Sequence, residues 1–215
     1  MDYTLENVRL KIQQFSDKLG SDYFPLPVIL NRFETDAFDF IKENIKHFEQ
    51  TQQITENLRP LVVKTELNCI DDPNEIGQFI APLPINYYQV LSYDIKYTDN
   101  TWCRRADIKS HSSYIANKNN PYKKPTKEYP VISQLENLFQ IDCGQQAIPM
   151  VMKTVYCKKP TFATVGNTAQ RIVNLNDDAI EEIILKTVIG LFQKTGDERF
   201  QSSAYIEQSY AQLMK

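Results

Sequence analysis

Two D-x-K pairs, Asp94-Ile95-Lys96 and Asp107-Ile108-Lys109, come nearest to a catalytic constellation in this 215-residue chain. Alternate positions on a strand share one face, so each pair would set a carboxylate beside an ammonium. Restriction-type nucleases use such a pair to hold Mg²⁺ and orient water. The same spacing also describes the solvated face of a sheet whose other face is Leu91, Tyr93, Ile95 and Tyr97. That second reading carries more weight, because charges alternating across strands stabilise ordinary sheets.

The remaining reactive residues do not assemble into a motif. Cys69, Cys103, Cys143 and Cys157, with His47 and His111, supply zinc-ligating atoms but none of the close spacings that bring two ligands from one turn. A cysteine nucleophile needs an activating base, and His47 falls on a charged helix while His111 falls in a polar loop. Only six glycines are present, without G-x-G-x-x-G or G-x-x-x-x-G-K to cradle phosphate. We therefore expect no catalytic residue, no metal and no cofactor. The thiols form no C-x-x-C pair, which points to reduced cysteines in an intracellular setting. A net charge of -3 from 24 basic and 27 acidic residues gives no global attraction to nucleic acid. Charge interrupts the apolar runs before the roughly 20 residues a membrane span requires.

Positive charge is instead local. From Trp102 to Lys127 the chain gathers Arg104, Arg105, Lys109, Lys118, Lys123, Lys124 and Lys127, interleaved with Tyr114 and Tyr122, against Asp107 alone. Arg104, Arg105, Lys109, Lys118, Tyr122, Lys123, Lys124 and Lys127 are thus the candidates for contact with DNA phosphates or an acidic neighbouring subunit. Residues 110–130 are almost without aliphatic side chains and cannot bury themselves. They read as an extended basic arm that orders against a partner, or as a solvated loop kept soluble by lysine.

Near the start of the chain Leu5, Val8, Ile12, Phe15 and Leu19 repeat at spacings of three and four, and Gly20 follows as a stop. After Pro25 and Pro27 the same period resumes through Ile29, Leu30, Phe33, Ala37, Phe38, Ile41, Ile45 and Phe48. The Gln- and Thr-rich tract 49–57 extends that helix or links it to Pro60. From Leu61 the pattern turns β-branched and alternating, with Thr98-Asp99-Asn100 as turn chemistry before a short strand around 102–108. Strand character returns at 131–132, 137–141 and 148–156, with Gly144-Gln145 available for a turn. Asn176 or Asp177 caps a helix whose Ile180, Ile183, Ile184, Val188 and Leu191 face a core, and Gly196 ends it. A last helix, 197–214, has an incomplete apolar face that includes Phe200 and Tyr210; Phe200, Tyr205 and Tyr210 are candidates for an oligomer interface.

The expected architecture is α+β: N- and C-terminal helices forming a small bundle, a central antiparallel β-rich region, and the extended basic arm. The boundaries are 1–60 for the N-terminal helices, 61–172 for the β-rich region with the arm at 110–130, and 173–215 for C-terminal helices packing on the N-terminal ones.

The C-terminal half resembles the head-to-tail connector proteins, the neck rings or adaptors, of tailed bacteriophages, most closely those of crAss-like phages. The residues that carry the resemblance are the basic, proline-containing segment from Arg104 through Asn120-Pro121-Tyr122 to Tyr129-Pro130, and the strand end Tyr156-Cys157-Lys158-Lys159-Pro160. The acidic helix start Asp177-Asp178-Ala179-Ile180-Glu181-Glu182 and the closing Gly196-Asp197-Glu198-Arg199-Phe200 complete it. The resemblance implies a non-enzymatic virion protein forming a ring, usually dodecameric, below the portal around the DNA channel. Its implied partners are copies of itself, the portal protein, other neck or tail rings and, without sequence preference, the double-stranded genome; no membrane is involved. Assembly would take place in the bacterial host cytoplasm. The rival readings are a Mg²⁺-dependent nuclease or other DNA-processing enzyme using the D-x-K pairs, another virion or tail ring component, and a monomeric nucleic-acid-binding module.

Overall fold

The structure is a computed structural model that describes residues 3–18, 24–48, 50–73, 75, 77–104, 106–118, 120, 122–144, 147–167 and 169–195. The chain divides into two compact units: Met1–Leu61 with Pro160–Lys215, and Val62–Lys159. The α+β class is as expected. Residues 160–172, grouped with the strands from sequence, belong to the helical unit.

In the helical unit α1 (Leu5–Lys18) buries Leu5, Val8 and Ile12 completely, as its period predicts. Helix α2 (Leu26–Ile45) starts at Pro25 and places Pro27 in its first turn, where a missing N–H leaves no carbonyl unserved. Its buried stripe includes Ile29, Phe33, Ala37 and Ile41, and also Phe40, which the spacing had passed over in favour of Phe38. Phe38 is partly exposed and rests against the Phe162 ring at 5.6 Å. The tract after α2 neither continues the helix nor stays irregular. Thr51 accepts from the Ile54 N–H at 3.3 Å and starts a separate helix, α3 (Gln52–Leu58). Helix α5 (Asp177–Thr195) begins where Asn176 C=O accepts from Ile180 N–H. It buries Ile180, Ile183, Ile184, Val188 and Leu191, the stripe read from the sequence, and packs against α1 and α2. The predicted stop at Gly196, the helix 197–214 and the closing Gly196–Phe200 motif lie outside the described residues.

One polar pair of α2 lies where that helix meets α5. Arg32 grips Asp36 bidentately, Nε to Oδ2 and Nη2 to Oδ1 both at 2.9 Å, and Asp36 is buried. A Cβ at Gly190 would collide with that guanidinium. Glycine at 190 therefore leaves room on α5 for the head group of Arg32, whose ion pair with the buried Asp36 is made within α2.

The second unit is two sheets sharing a core. One has strand order β1-β9-β4-β5: β1 (Val62–Asn68), β9 (Pro149–Lys158), β4 (Tyr87–Tyr97) and β5 (Trp102–Arg104). The other has order β2-β3-β8-β7-β6: β2 (Ile70–Asp71), β3 (Phe79–Pro82), β8 (Leu138–Asp142), β7 (Val131–Leu135) and β6 (Asp107–Ile108). Tyr93, Ile95, Tyr97 and Met152 of the first sheet meet Phe79, Ala81, Ile132, Phe139 and Ile141 of the second. Tyr93 and Phe139 stack edge to face at 5.3 Å. The expected turn at Thr98-Asp99-Asn100 forms and closes the β4–β5 hairpin, with Asn100 at φ 64°. A β7–β8 hairpin through Glu136 at φ 42° was not expected, and the strands before and after Gly144-Gln145, β8 and β9, belong to different sheets. Two further features depart from expectation. The stretch 102–108 is two strands in different sheets, and β6 pairs with β7 in parallel, so the region is not wholly antiparallel.

Gly190→Ala is expected to change stability by less than about 1 kcal/mol in urea unfolding, because the gain of about 1 kcal/mol in helix propensity is offset by moving the flexible head group of Arg32 from its place beside Asp36. A loss of about 2 kcal/mol or more would show that the head group has no room to move.

Candidate functional site

The basic segment is folded, not extended. Helix α4 (His111–Lys118) occupies its first part, and a turn-rich loop returns the chain to β7. Tyr114 is the reason. It is the one described side chain of α4 that is buried, and its hydroxyl donates to Asp142 Oδ2 at 2.7 Å while accepting from Gln78 Nε2 at 2.9 Å. Gln140 Nε2 donates to Gln78 Oε1, and Ser133 Oγ donates to Gln140 Oε1 at 3.3 Å. The donors therefore run one way, from Ser133 through Gln140, Gln78 and Tyr114 to the Asp142 carboxyl, which also receives the Gly144 N–H at 2.9 Å. All five side chains are buried. Burial first, and the adjacent Asp142 second, push the Tyr114 hydroxyl well above its ordinary value, so it stays a donor.

The rest of the loop is held by equally specific contacts. Pro125 is buried, and its carbonyl lies so close to Gly144, at φ 77°, that a side chain there would be both strained and crowded. Tyr97 OH donates to Lys127 C=O at 2.8 Å. Asn120 C=O accepts from the N–H groups of Lys123 and Lys124 at 3.0 and 2.9 Å, and its Oδ1 accepts from Tyr122 N–H at 3.0 Å. This closes a tight turn.

These contacts divide the candidate residues. Lys118 pairs with Glu75 at 2.7 Å and lies over the Tyr114 ring. Lys127 pairs with Asp99 and lies over the Tyr97 ring. Lys109 is half-buried and ties β6 to β7 through its N–H to Ile132 C=O at 3.0 Å. Tyr122, at 95% exposure, and the exposed Lys123 and Lys124 form the tip of the turn; no described acid pairs with either lysine. The Arg104 side chain, Arg105, and the interface candidates Phe200, Tyr205 and Tyr210 lie outside what is described.

The D-x-K pairs do not meet on one strand face. Asp94 and Lys96 are on the solvated face of the first sheet, where register aligns Glu66, Lys153, Asp94 and Arg104 across four strands in alternating charge. Lys153 bonds Glu66 at 2.8 Å, and Lys96 and Lys153 both approach the Trp102 ring. Asp107 belongs to β6 of the other sheet. Burial drives the thiols of Cys69, Cys143 and Cys157 up to about 12, which leaves little thiolate for nucleophilic attack. Among the described residues no three His, Cys, Asp or Glu side chains converge as a metal site would require, and no helix is long and apolar enough to cross a membrane.

Sequence reasoning missed Gln78, Ser133, Gln140 and Asp142. Their signal was present, since Ser133, Gln140 and Asp142 alternate with Ile132, Phe139 and Ile141, but it reads as a solvated sheet face until α4 covers it.

Tyr114→Phe leaves Asp142 Oδ2 without its donor, while Oδ1 keeps the Gly144 N–H and the Gln78 amide keeps Glu75, and is expected to cost about 1–3 kcal/mol. Hydrogen exchange should quicken at the α4 amides while β4 and β9 stay protected. At the other anchor, Lys127 foremost and then Thr101 hold the exposed Asp99 carboxyl at about 2. Because that value is depressed, the pairing is present above the ordinary carboxylate range and is lost as pH falls through about 2. Lys127→Ala is expected to move the Asp99 titration upward in a carboxyl-detected NMR series.

No protein-family model matches this chain, and no curated protein is detectably similar to it in sequence.

Proposed function

We propose that this chain is a structural, non-catalytic subunit of a bacteriophage neck, forming a ring below the portal and around the path of the genome. What carries the reading is the resemblance of its C-terminal half to head-to-tail connectors. Two of the motifs behind that resemblance occupy junctions of the fold. Tyr156–Pro160 ends β9 and passes the chain from the strand unit to the helical unit. Asp177–Glu182 opens α5, the helix that packs on α1 and α2.

The turn Tyr122-Lys123-Lys124 supplies a contact point of the right chemistry. An aromatic and two ammonium groups on a hydrogen-bonded turn suit an acidic neighbouring subunit or a phosphate backbone read without sequence preference. The partners on this reading are further copies of the chain, the portal protein, the adjoining neck or tail rings and the DNA they enclose. Assembly takes place in the bacterial cytoplasm, and the virion is the final location.

The experiment is mass photometry of the chain alone and mixed with the portal protein from the same genome. A ring or a stoichiometric portal complex supports the proposal, and a chain that ignores the portal removes it. Deleting residues 112–129 would be a poor probe, because it also withdraws Tyr114 from Asp142. The triple variant Tyr122→Ala, Lys123→Glu, Lys124→Glu changes exposed groups alone; it is expected to leave the melting temperature within about 2 °C, since surface substitutions usually stay within about 0.5 kcal/mol, and to abolish portal association. Mg²⁺-dependent DNA cleavage that disappears with Asp94→Ala would replace the structural reading with the enzymatic one.

A further inference from the structure

Strand β1 is an edge of the first sheet. β9 pairs with it on one side, and no described strand pairs on the other. Its hydrogen-bonding pattern can be read from one bond. Cys69 N–H donates to Met150 C=O at 3.1 Å, one step beyond the Asn68–Val151 pair. Antiparallel ladders alternate, so residues 63, 65 and 67 turn their N–H and C=O toward β9, while Val62, Lys64, Glu66 and Asn68 turn theirs to the open edge. The side chains of Lys64, Glu66 and Asn68 are exposed along the strand. An unpaired edge of this length is a template for another strand.

We propose that two copies of this chain pair antiparallel along β1, about a two-fold axis through Thr65. In that register Lys64 stands opposite Glu66 of the second copy and Glu66 opposite its Lys64. Val63 stands opposite Leu67, Val62 opposite Asn68, and the two Thr65 residues face each other. Each pair made by Val62, Lys64, Glu66 and Asn68 exchanges both of its N–H···O=C bonds. The core face gains apolar and Thr–Thr neighbours, and the solvated face gains two opposite-charge pairs.

Sheet geometry and the strand's charge order select this arrangement over its competitors. Parallel pairing of the same edge would turn one sheet over and set the solvated face of one copy beside the core face of the other. An antiparallel axis through Lys64 or through Glu66 would oppose one like pair. Like charges directly opposite are destabilising, and discrimination by built-in repulsion is how pairing partners are commonly chosen. The pairing also extends an existing pattern, because the row Arg104, Asp94, Lys153, Glu66 ends at the edge on an acid and meets a lysine of the second copy. The two four-stranded sheets become one.

A two-fold contact is closed and cannot propagate around a ring, so this is a pair formed by the free chain, independent of the neck reading. Sedimentation equilibrium of the full chain tests it. The wild type is expected at twice the chain mass. Glu66→Lys and Lys64→Glu each place like charges across the axis and are expected to weaken association at least about ten-fold; Lys64→Glu, which faces Val155 on β9, leaves the fold of the chain unchanged, whereas Glu66→Lys also sets a lysine opposite Lys153 and lowers stability by up to about 1 kcal/mol. The double swap Lys64→Glu/Glu66→Lys restores opposite charges across the axis but not the Lys153–Glu66 bond, so recovered dimer reports on the interface alone. A monomer throughout, an assembly that survives both single changes, or a double swap that fails to recover dimer overturns the pairing. A ring formed by the chain alone would overturn the pair while supporting the neck reading; association with the portal protein is read from the mixture and is independent of the pair.

Discussion

A buried run of hydrogen bonds with a single direction, ending on the Asp142 carboxyl, sets the form of the strand unit outside its apolar core. Ser133, Gln140, Gln78 and Tyr114 each pass a donor toward that carboxyl. Such a run strengthens itself, because each bond polarises the next, and in a water-poor setting a missing member leaves two groups unserved. Tyr114 is the member that α4 contributes. The helix docks where that hydroxyl reaches the carboxyl, and the loop after it is placed in consequence. A segment with almost no aliphatic residues is thereby folded without an apolar core of its own.

Charge in this unit follows the same logic of local pairing. Lys118 and Lys127 are matched by Glu75 and Asp99, and the open sheet face alternates acid and base from Glu66 to Arg104. Exposed pairs of this kind contribute little stability individually. Their effect is to remove charge from the reach of other molecules, leaving the turn at Tyr122-Lys123-Lys124 as a small basic feature on a chain with a net charge of -3. The segment that looks uniformly basic in sequence is, once folded, a set of neutralised flanks around one presented tip.

The helical unit reaches its packing by a different route. Apolar stripes at helical period do most of the work, and burial of side chains such as Phe33 and Phe40 is worth about 1.5–3 kcal/mol each. Gly190 and the Arg32–Asp36 pair show where that simple scheme is interrupted: a charge pair lies inside the interface, and a missing Cβ makes room for it. Such a pair adds little net stability, but leaving the buried Asp36 without its partner is costly.

The amino-acid sequence by itself determined the α+β class, the helical stripes of α1, α2 and α5, the alternation of Tyr93, Ile95 and Tyr97, and the turn from β4 to β5. These depend on periods of 3.6 and 2 and on turn residues, all properties of neighbours in the chain. Contacts between distant residues were decided by the tertiary structure alone. The polar faces of β7 and β8 resembled solvated surface because nothing local marks Ser133, Gln140 and Asp142 as covered. Tyr114 resembled one more aromatic in a basic loop because its partners, Gln78 and Asp142, lie 36 and 28 residues away. Asp94 and Asp107 resembled a repeat, yet the chain crosses between sheets within 102–108 and separates them. Period reports which face a residue takes; only the packed fold reports what that face meets, because burial is a property of the partner as much as of the residue.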